Sequence, residues 1–265
     1  MRFKKNFLFN YLKNAPFALA LERSMECEIM ARQEFVRPIL DIGCGDGLFA
    51  FMLFDEKIDV GIEPNARELR RAKEYGMYEE LIRCYGNNIS KDSESFNTIF
   101  CNSVLEHIPE VRSVIDEAHR LLSPGGRFYV TIPTDMFDNY SISYQLLSLS
   151  RLYDAAEQYR RIFNKFWKHF HYYKQKEWEK VFEDSGFQVI DFKEYDSKIT
   201  CLIHHFFVPF AFPSLITKKI TNRWIVSKGL RRIYIFPFYL VARGVIKRFE
   251  RGKNGGIIFL SLKKK

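Results

Sequence analysis

The chain has 265 residues and a net charge of +9, and 47 % of its residues are hydrophobic. This length suits one large α/β domain with a sizeable core. The five cysteines form no CxxC pair and do not cluster with histidine at metal-ligand spacing, so we expect no disulfide framework and no metal site, and a cytoplasmic location.

The positive charge is concentrated at one end of the chain. Residues 218–265 hold 14 Lys or Arg and one acid, Glu250, for a net charge of +13, whereas residues 1–217 carry a net charge of −4. Aromatic residues make up 16 % of the chain. This asymmetry indicates contact with an anionic surface, either nucleic acid or phospholipid headgroups.

Residues 1–35 are predicted to form an N-terminal helical cap of two pieces separated by Pro16. The second piece carries a rough helical stripe of apolar residues. Its polar residues Glu22, Arg23 and Glu26 either reach a site on the following domain, which we place at 36–265, or form a solvated helix face.

Residues 38–50 show the pattern of a strand, a glycine turn and a helix. An apolar run ends near Asp41, and Gly43, Gly45 and Gly47 follow at alternate positions. Glycine lets the backbone approach a ligand closely, and the helix that follows presents unpaired N–H groups. The spacing differs from the Gly-x-Gly-x-x-Gly of dinucleotide-binding proteins. The segment therefore predicts a ligand-binding turn for a different cofactor.

A second short apolar run ends at Glu63, 18 residues after Gly45. This is near the distance at which α/β folds place a carboxylate that accepts hydrogen bonds from ribose hydroxyls. Asn65 is predicted to cap a helix over 66–75 that ends at Gly76. A third strand is predicted over 81–85.

The residues from 96 to 133 predict two further strands with a helix between them. The first strand ends near Asn102 and Ser103, and Glu106 and His107 follow it. A Ser-Pro-Gly-Gly turn then precedes a strand that ends at Pro133. Because open α/β sheets bind ligands at the carboxyl ends of their strands, these polar residues are expected near the ligand.

Three of these segments together resemble class I S-adenosylmethionine-dependent methyltransferases of the small-molecule, type 11-like branch. The matching motifs are Leu-Asp-Ile-Gly-Cys-Gly-Asp-Gly at 40–47, Ser-Val-Leu-Glu-His-Ile at 103–108 and Leu-Ser-Pro-Gly-Gly at 122–126. The resemblance implies a Rossmann-like α/β sheet of seven strands and S-adenosyl-L-methionine as cofactor. It implies these cofactor-binding residues: Asp41, Gly43, Cys44, Gly45, Gly47, Glu63, Pro64, Asn87, Asn88, Asn102 and Ser103.

Residues 134–176 follow the fifth strand and are rich in aromatic side chains. An insertion at this point lies over the carboxyl edge of the sheet, so we predict a substrate lid. It holds His169 and His171, and related methyltransferases often line the acceptor pocket with a similar element. We consider His107, His169 and His171 as candidate general bases, with structural packing as the alternative for each.

Residues 187–196 and 255–262 predict strands six and seven, and the insertion 197–254 separates them. The insertion combines Phe-rich apolar stretches with most of the basic excess. Rings at headgroup level and cations for anionic lipid are typical of an interfacial membrane segment, which we assign to 199–251. The long Phe-rich runs argue against nucleic acid. A helical subdomain that covers the substrate pocket, or a dimer contact, is the alternative.

The sequence thus predicts methyl transfer to a small molecule, with O-methylation of a lipid-linked sugar, a glycolipid or an isoprenoid-like molecule at the cytoplasmic membrane surface as the specific hypothesis. Two other classes stay open at this point. One is a non-catalytic cofactor-binding membrane adaptor. The other is a nicotinamide-dependent oxidoreductase, which the glycine spacing disfavours.

Overall fold

The computed structural model describes residues 1–225, 227–249 and 254–265, and the side chains at 228, 230 and 232–234 are outside this description. Residues 226 and 250–253 of the predicted insertion 197–254 therefore lie outside the described residues. The described chain forms an α/β fold in which helices cover both faces of a single mixed sheet.

The sheet has seven strands within the described residues, in the order β3-β2-β1-β4-β5-β7-β6. Strands β1 to β5 run parallel, and β7 pairs antiparallel with β5 and β6. This confirms the predicted Rossmann-like seven-stranded sheet. The strands are β1 (Ile39–Ile42), β2 (Ile58–Ile62), β3 (Tyr78–Ile82), β4 (Phe96–Asn102), β5 (Leu122–Pro133), β6 (Phe187–Tyr195) and β7 (Ile257–Lys264).

The helices connect these strands and form two insertions, one between β5 and β6 and one between β6 and β7. Two short 3-10 turns lie at Leu105–His107 and Pro209–Ala211. The α-helices are α1 (Phe7–Asn14), α2 (Phe17–Met30), α3 (Leu48–Leu53), α4 (Ala66–Tyr75), α5 (Val111–Leu121), α6 (Asp135–Asn139), α7 (Ile142–Leu149), α8 (Tyr153–Trp167), α9 (Gln175–Asp184), α10 (Lys198–Phe207), α11 (Phe212–Thr221) and α12 (Lys228–Phe249).

Alternate residues of the central strands divide the core into two halves, because successive strand side chains point to opposite faces. Ile39 packs with α1, α2 and α3, whereas Leu40 packs on the other face with α5 and α9. The N-terminal helices share a core cluster with the sheet, with Tyr11 and Leu21 fully buried. The division into cap, lid and basic insertion stays a prediction.

Local sequence signals explain several element boundaries. The Asn65 side chain accepts hydrogen bonds from the Arg67 and Glu68 amides at the start of α4, and Gly76 ends that helix with φ of 65°. The third strand begins at Tyr78 instead of the predicted residue 81. The ladder with β2 starts at the pair Ile58 and Tyr78, and the Tyr78 hydroxyl also donates to Asp41 Oδ2 on β1 at 2.7 Å.

Within the described residues, no single helix has both the length and the apolar character needed to cross a bilayer. The pair Lys198–Phe207 and Pro209–Thr221, which bends by 42°, meets that test jointly by length and composition.

Candidate active site

The glycine turn after β1 lies at the carboxyl edge of the sheet, between β1 and α3. The amides of Gly43 and Cys44 donate to the Ile62 carbonyl at 3.0 and 2.9 Å, which fixes the turn against β2. Gly45 has φ of 53°, and a Cβ at this position would have no neighbour within 4 Å, so the backbone faces open space. The turn therefore leaves room for a ligand directly against the main chain, as the methionine end of S-adenosylmethionine requires.

Two carboxylates predicted to bind the cofactor flank this turn. Asp41 is buried, and burial raises its pKa to about 7. Glu63 accepts hydrogen bonds from the Gly45 amide at 3.2 Å and the Asn65 amide at 2.8 Å, and partial burial raises its pKa. The Glu63 side chain thus joins the glycine turn to the start of α4, at the edge where a ribose would lie.

The remaining predicted cofactor residues fall into three places. Pro64 accepts from Arg83 through its carbonyl, and Asn87 and Asn88 lie on the loop after β3. Asn102 and Ser103, at the end of β4, both donate to the carboxylate of Glu26 on α2, at 2.8 and 3.0 Å. The structure therefore brings these residues to one edge of the sheet, and α2 lies directly over the end of β4.

Glu26 is the central group of this network, although the sequence offers no signal for its partners. It is fully buried and forms a two-pronged pair with Arg23, with both distances at 2.8 Å. Burial raises its pKa, and the Arg23 guanidinium opposes that shift. The paired charges account for a carboxylate at this depth, since an unpaired buried charge is costly.

A cavity of about 240 Å³ opens beside the end of β4. We call it the edge cavity. Its walls come from α2, from the 3-10 turn after β4, from the lid segment and from α10 and α11, and they include Arg23, Glu106, His107, His169, His204 and Leu215. The basic insertion therefore contributes directly to the wall of this cavity.

Three polar groups in the edge cavity form a cluster. Glu106, His107 and His169 each offer one ligand atom, and these atoms lie within 4.8 Å of one another. Burial raises the pKa of Glu106 to about 8 and lowers that of His169 to about 4. The His107 and His169 rings are 5.1 Å apart, and His107 Nδ1 lies 3.2 Å from the Lys168 carbonyl, so that nitrogen carries the proton.

His171 does not join this cluster, although the sequence placed it with His107 and His169. Its Nδ1 bonds to the Tyr173 hydroxyl at 2.9 Å, and its Nε2 lies 3.0 Å from the Ile108 carbonyl. The side chain does not line the edge cavity. The ring instead ties the lid segment to the loop after β4, which is the structural role held open for it.

Two further histidines line the edge cavity but were not among the predicted site residues. His204 lies between Glu22, at 3.3 Å, and Asp196, at 3.7 Å, and these carboxylates raise its pKa despite burial. Burial and the neighbouring His204 lower the pKa of His205 to about 3. In the sequence they lie in an apolar stretch far from any recognised motif, so no local pattern marks them as site residues.

The insertion also reaches the glycine turn itself. Lys218 Nζ lies 2.7 Å from Asp46 Oδ2 and 3.1 Å from Glu68, and the Trp224 indole donates to Asp46 Oδ2 at 3.0 Å. Trp224 lines the edge cavity as well. No motif signals this contact, because Asp46 and Trp224 are 178 residues apart.

A larger cavity of about 900 Å³ lies between α1, α2, β6 and α12. None of the predicted site residues lines it. The smaller edge cavity holds Ser103, Glu106, His107 and His169 of the predicted region, so it is the candidate acceptor site.

Comparison with known proteins agrees with this geometry. A family model described as a methyltransferase domain matches residues 11–191, which is more than half of the chain. The chain belongs to this methyltransferase family. It is an S-adenosylmethionine-dependent methyltransferase of the class I, type 11-like kind by family, and this argues against the nicotinamide-dependent alternative.

Individual relatives match only part of the chain. A ubiquinone biosynthesis O-methyltransferase from Klebsiella pneumoniae is 30 % identical over 105 residues, covering 37 % of this methyltransferase and 43 % of the relative. A relative of the same name from Salmonella arizonae is 29 % identical over 101 residues, covering 36 % and 42 %. The chain thus spans less than half the length of these curated relatives.

Solved structures share the fold over most of the chain. A methyltransferase from Thermotoga maritima superposes with a TM-score of 0.57 at 18 % identity, covering 94 % of this chain and 91 % of that one. A geranyl diphosphate methyltransferase solved with geranyl diphosphate and sinefungin has a TM-score of 0.52 at 14 % identity, covering 91 % and 77 %. The same enzyme has been solved with S-adenosylmethionine. The cofactor of this family, S-adenosylmethionine, fits the open glycine turn described above.

Proposed function

We propose that this methyltransferase methylates a hydroxyl group at the reacting end of a membrane-associated acceptor, such as a lipid-linked sugar, a glycolipid or an isoprenoid-like molecule. The observation that carries this proposal is the position of the edge cavity. It lies beneath helices of the Phe-rich insertion, so one structural unit forms both the wall of the acceptor site and an exposed apolar surface.

The size of the edge cavity limits what it holds. At about 240 Å³ it is smaller than the ~300–1,000 Å³ of sites that enclose a whole drug-sized ligand. A headgroup or a single ring fits, whereas a long lipid chain does not. The apolar remainder of such an acceptor would lie outside, along the insertion.

The outer surface of the insertion is apolar and could contact the apolar part of the acceptor. Val208 and Leu215 line the edge cavity, while Phe206, Phe210 and Phe212 are each more than half exposed on the same helices. Large exposed apolar patches mark sites of contact with partners or membranes. Exposed cations of the insertion complement anionic lipid at roughly 1 kcal/mol each, and these are Lys219, Arg223, Arg243, Lys247 and Arg248.

Some of the basic residues in the C-terminal part of the chain form contacts within the fold and are not available to bind lipid. Lys218 pairs with Asp46 and Glu68, and Arg231 donates to the carbonyls of Leu12 and Ala15. Lys264 pairs with Glu94 at the far end of β7. The proposed membrane contact therefore depends on the exposed cations named above. The proposal also includes a location at the cytoplasmic face of the membrane.

The reaction divides between cofactor and protein. When bound, S-adenosylmethionine would supply an electrophilic methyl group to the acceptor oxygen, with S-adenosylhomocysteine as the leaving group and the hydroxyl proton lost to a base or to solvent. Gly43, Cys44, Gly45, Gly47 and Glu63 would hold this cofactor. The protein's main contribution is to position the acceptor hydroxyl in line, which lowers the entropic part of the barrier.

Glu106, His107 and His169 cluster in the wall of the edge cavity, and in this proposal they hold the acceptor oxygen or take its proton. The name of the O-methyltransferase relatives fits oxygen as the accepting atom. The test is a methyl-transfer screen with labelled cofactor against fractionated cell lipids and saccharides. Label in a lipid fraction supports the proposal, and label confined to water-soluble amines would contradict it.

A further inference from the structure

We infer that Glu106, His107 and His169 form a binding site for one divalent transition-metal ion in the wall of the edge cavity. No metal site was expected from the cysteine and histidine spacing, and the two histidines of this cluster lie 62 residues apart in the chain. Their proximity arises only when the lid segment folds over the end of β4. Their ligand atoms and that of Glu106 lie within 4.8 Å of one another.

The first independent observation that supports this metal site concerns the carboxylate of Glu106. Glu106 is 2 % exposed and lines the edge cavity, and its Oε2 has no hydrogen-bond partner in the part of the chain that the structure describes. A buried polar atom without a partner is costly and calls for an explanation, such as an ion. A cation coordinated by both carboxylate oxygens would satisfy Oε2, and it would lie near Oε1, which is 3.8 Å from His107 Nε2.

The second observation concerns the free ring nitrogens of His107 and His169. His107 donates through Nδ1 to the Lys168 carbonyl, which leaves Nε2, 3.8 Å from Glu106 Oε1, as the free ring nitrogen. Metal-binding histidines commonly donate their other ring nitrogen to a carbonyl in this way. Among the described residues, the ring nitrogens of His169 form no hydrogen bond. Both imidazoles are therefore available as ligands.

The ligand set indicates the type of metal. Two imidazole nitrogens and one carboxylate suit Zn²⁺, Co²⁺, Mn²⁺ or Fe²⁺ and leave coordination positions open. Arg23 also lines the cavity, but its charge is balanced by Glu26 at 2.8 Å and Glu22 at 3.5 Å. Because these two carboxylates neutralise Arg23, its guanidinium would not repel a cation bound in the cavity.

An open position toward the cavity would take the acceptor oxygen, and this part of the inference rests on the proposed function. A bound divalent ion lowers the pKa of a coordinated hydroxyl. The hydroxyl proton would pass to solvent, and the metal-held oxygen would then accept the methyl group. The metal would thus both orient and activate the acceptor.

The test uses Co²⁺ as the probe, because its visible absorption reports coordination by nitrogen and oxygen. The metal-free full-length protein is titrated with Co²⁺, and we expect one ion per chain. His169→Gln and Glu106→Gln should each weaken Co²⁺ binding by at least about tenfold. The matched control is His119→Gln, since His119 lies on α5 and contacts Phe187. Circular dichroism confirms that each variant is folded.

The outcomes separate this inference from the proposed function. Absence of stoichiometric Co²⁺ binding, or equal affinity in His169→Gln, Glu106→Gln and wild type, would overturn the metal site. Methyl transfer that persists after chelation would overturn the metal's role in the reaction while leaving the proposed function intact. Tight Co²⁺ binding that depends on Glu106 and His169, without transfer to any lipid acceptor, would keep the site and overturn the acceptor class.

Discussion

Trp224 and Asp46 are joined by a hydrogen bond of 3.0 Å from the indole nitrogen to the carboxylate, which links the insertion between β6 and β7 to the cofactor turn. Lys218 packs over the Trp224 ring at 4.4 Å and pairs with the same carboxylate. The segment from α11 to Trp224 therefore acts as a strap across the cofactor turn and the edge cavity.

Loss of this hydrogen bond should release the strap. Trp224→Phe keeps an aromatic ring but removes the donor to Asp46, and a bond to a charged group contributes about 1.5–3 kcal/mol. We expect faster tryptic cleavage after Lys219 and Arg223, both exposed on the strap. Ile220→Ala, at a residue that is 77 % exposed on α11, is the control. Equal cleavage rates in Trp224→Phe and wild type would show that the contact does not hold the strap.

The open space at Gly45 makes a second prediction about cofactor binding. Gly45→Ala should leave the protein folded, since a Cβ there meets no atom within 4 Å, but it should weaken cofactor binding at least about tenfold, because the Cβ enters the ligand space. Gly76→Ala is the matched control, with φ of 65° and no neighbour within 4 Å, away from the site. Calorimetry with S-adenosylmethionine measures both. Equal affinities in the two variants would remove the assigned cofactor site.

The raised pKa of the Asp41 carboxyl group leads us to predict that the stability of the fold depends on pH. Its folded pKa of about 7 lies above the ~3.9 of an unfolded chain, so between these values the folded protein retains a proton that the unfolded chain has released. The unfolding free energy should therefore fall as pH rises through this window, by up to about 4 kcal/mol at ~1.36 kcal/mol per unit. Asp41→Asn should lack this part of the fall. Parallel pH profiles in cofactor-free protein would contradict the assignment.

The exposed phenylalanines of the insertion predict membrane binding. Wild type should float with liposomes that contain anionic lipid at low salt and float less at high salt. Replacing Phe206, Phe210 and Phe212 with serine should reduce flotation, whereas Phe192→Ser, an exposed phenylalanine on β6, should not. Flotation that is insensitive to both salt and the triple substitution would argue against the proposed membrane contact.

Local sequence patterns were sufficient to predict the sheet and the geometry of the glycine turn after β1. The glycine spacing, the capping residue Asn65 and the carboxylate Glu63 act within a few residues or between neighbouring strands, so their geometry follows from strand order. Strand β3 was misplaced by three residues, because its start depends on pairing with β2, where Tyr78 lies opposite Ile58, a residue 20 positions earlier in the chain.

The acceptor side could not be predicted in the same way. Glu26 meets Asn102 across 76 residues, and Trp224 meets Asp46 across 178. His171 and His169 are two residues apart, yet only His169 points into the edge cavity, because His171 bonds to the Ile108 and Pro109 carbonyls. These pairings depend on how two long insertions fold back over the sheet, and no short-range pattern encodes that path.

The most direct test of the proposed function is transfer of a tritium-labelled methyl group from S-adenosylmethionine to the organic-phase lipids of a cell extract. We predict label on the hydroxyl-bearing headgroup or ring of a lipid-soluble acceptor, and none with Gly45→Val, which fills the ligand space at the cofactor turn. Label found only in water-soluble products, or no transfer by protein that binds the cofactor, would contradict the proposed function.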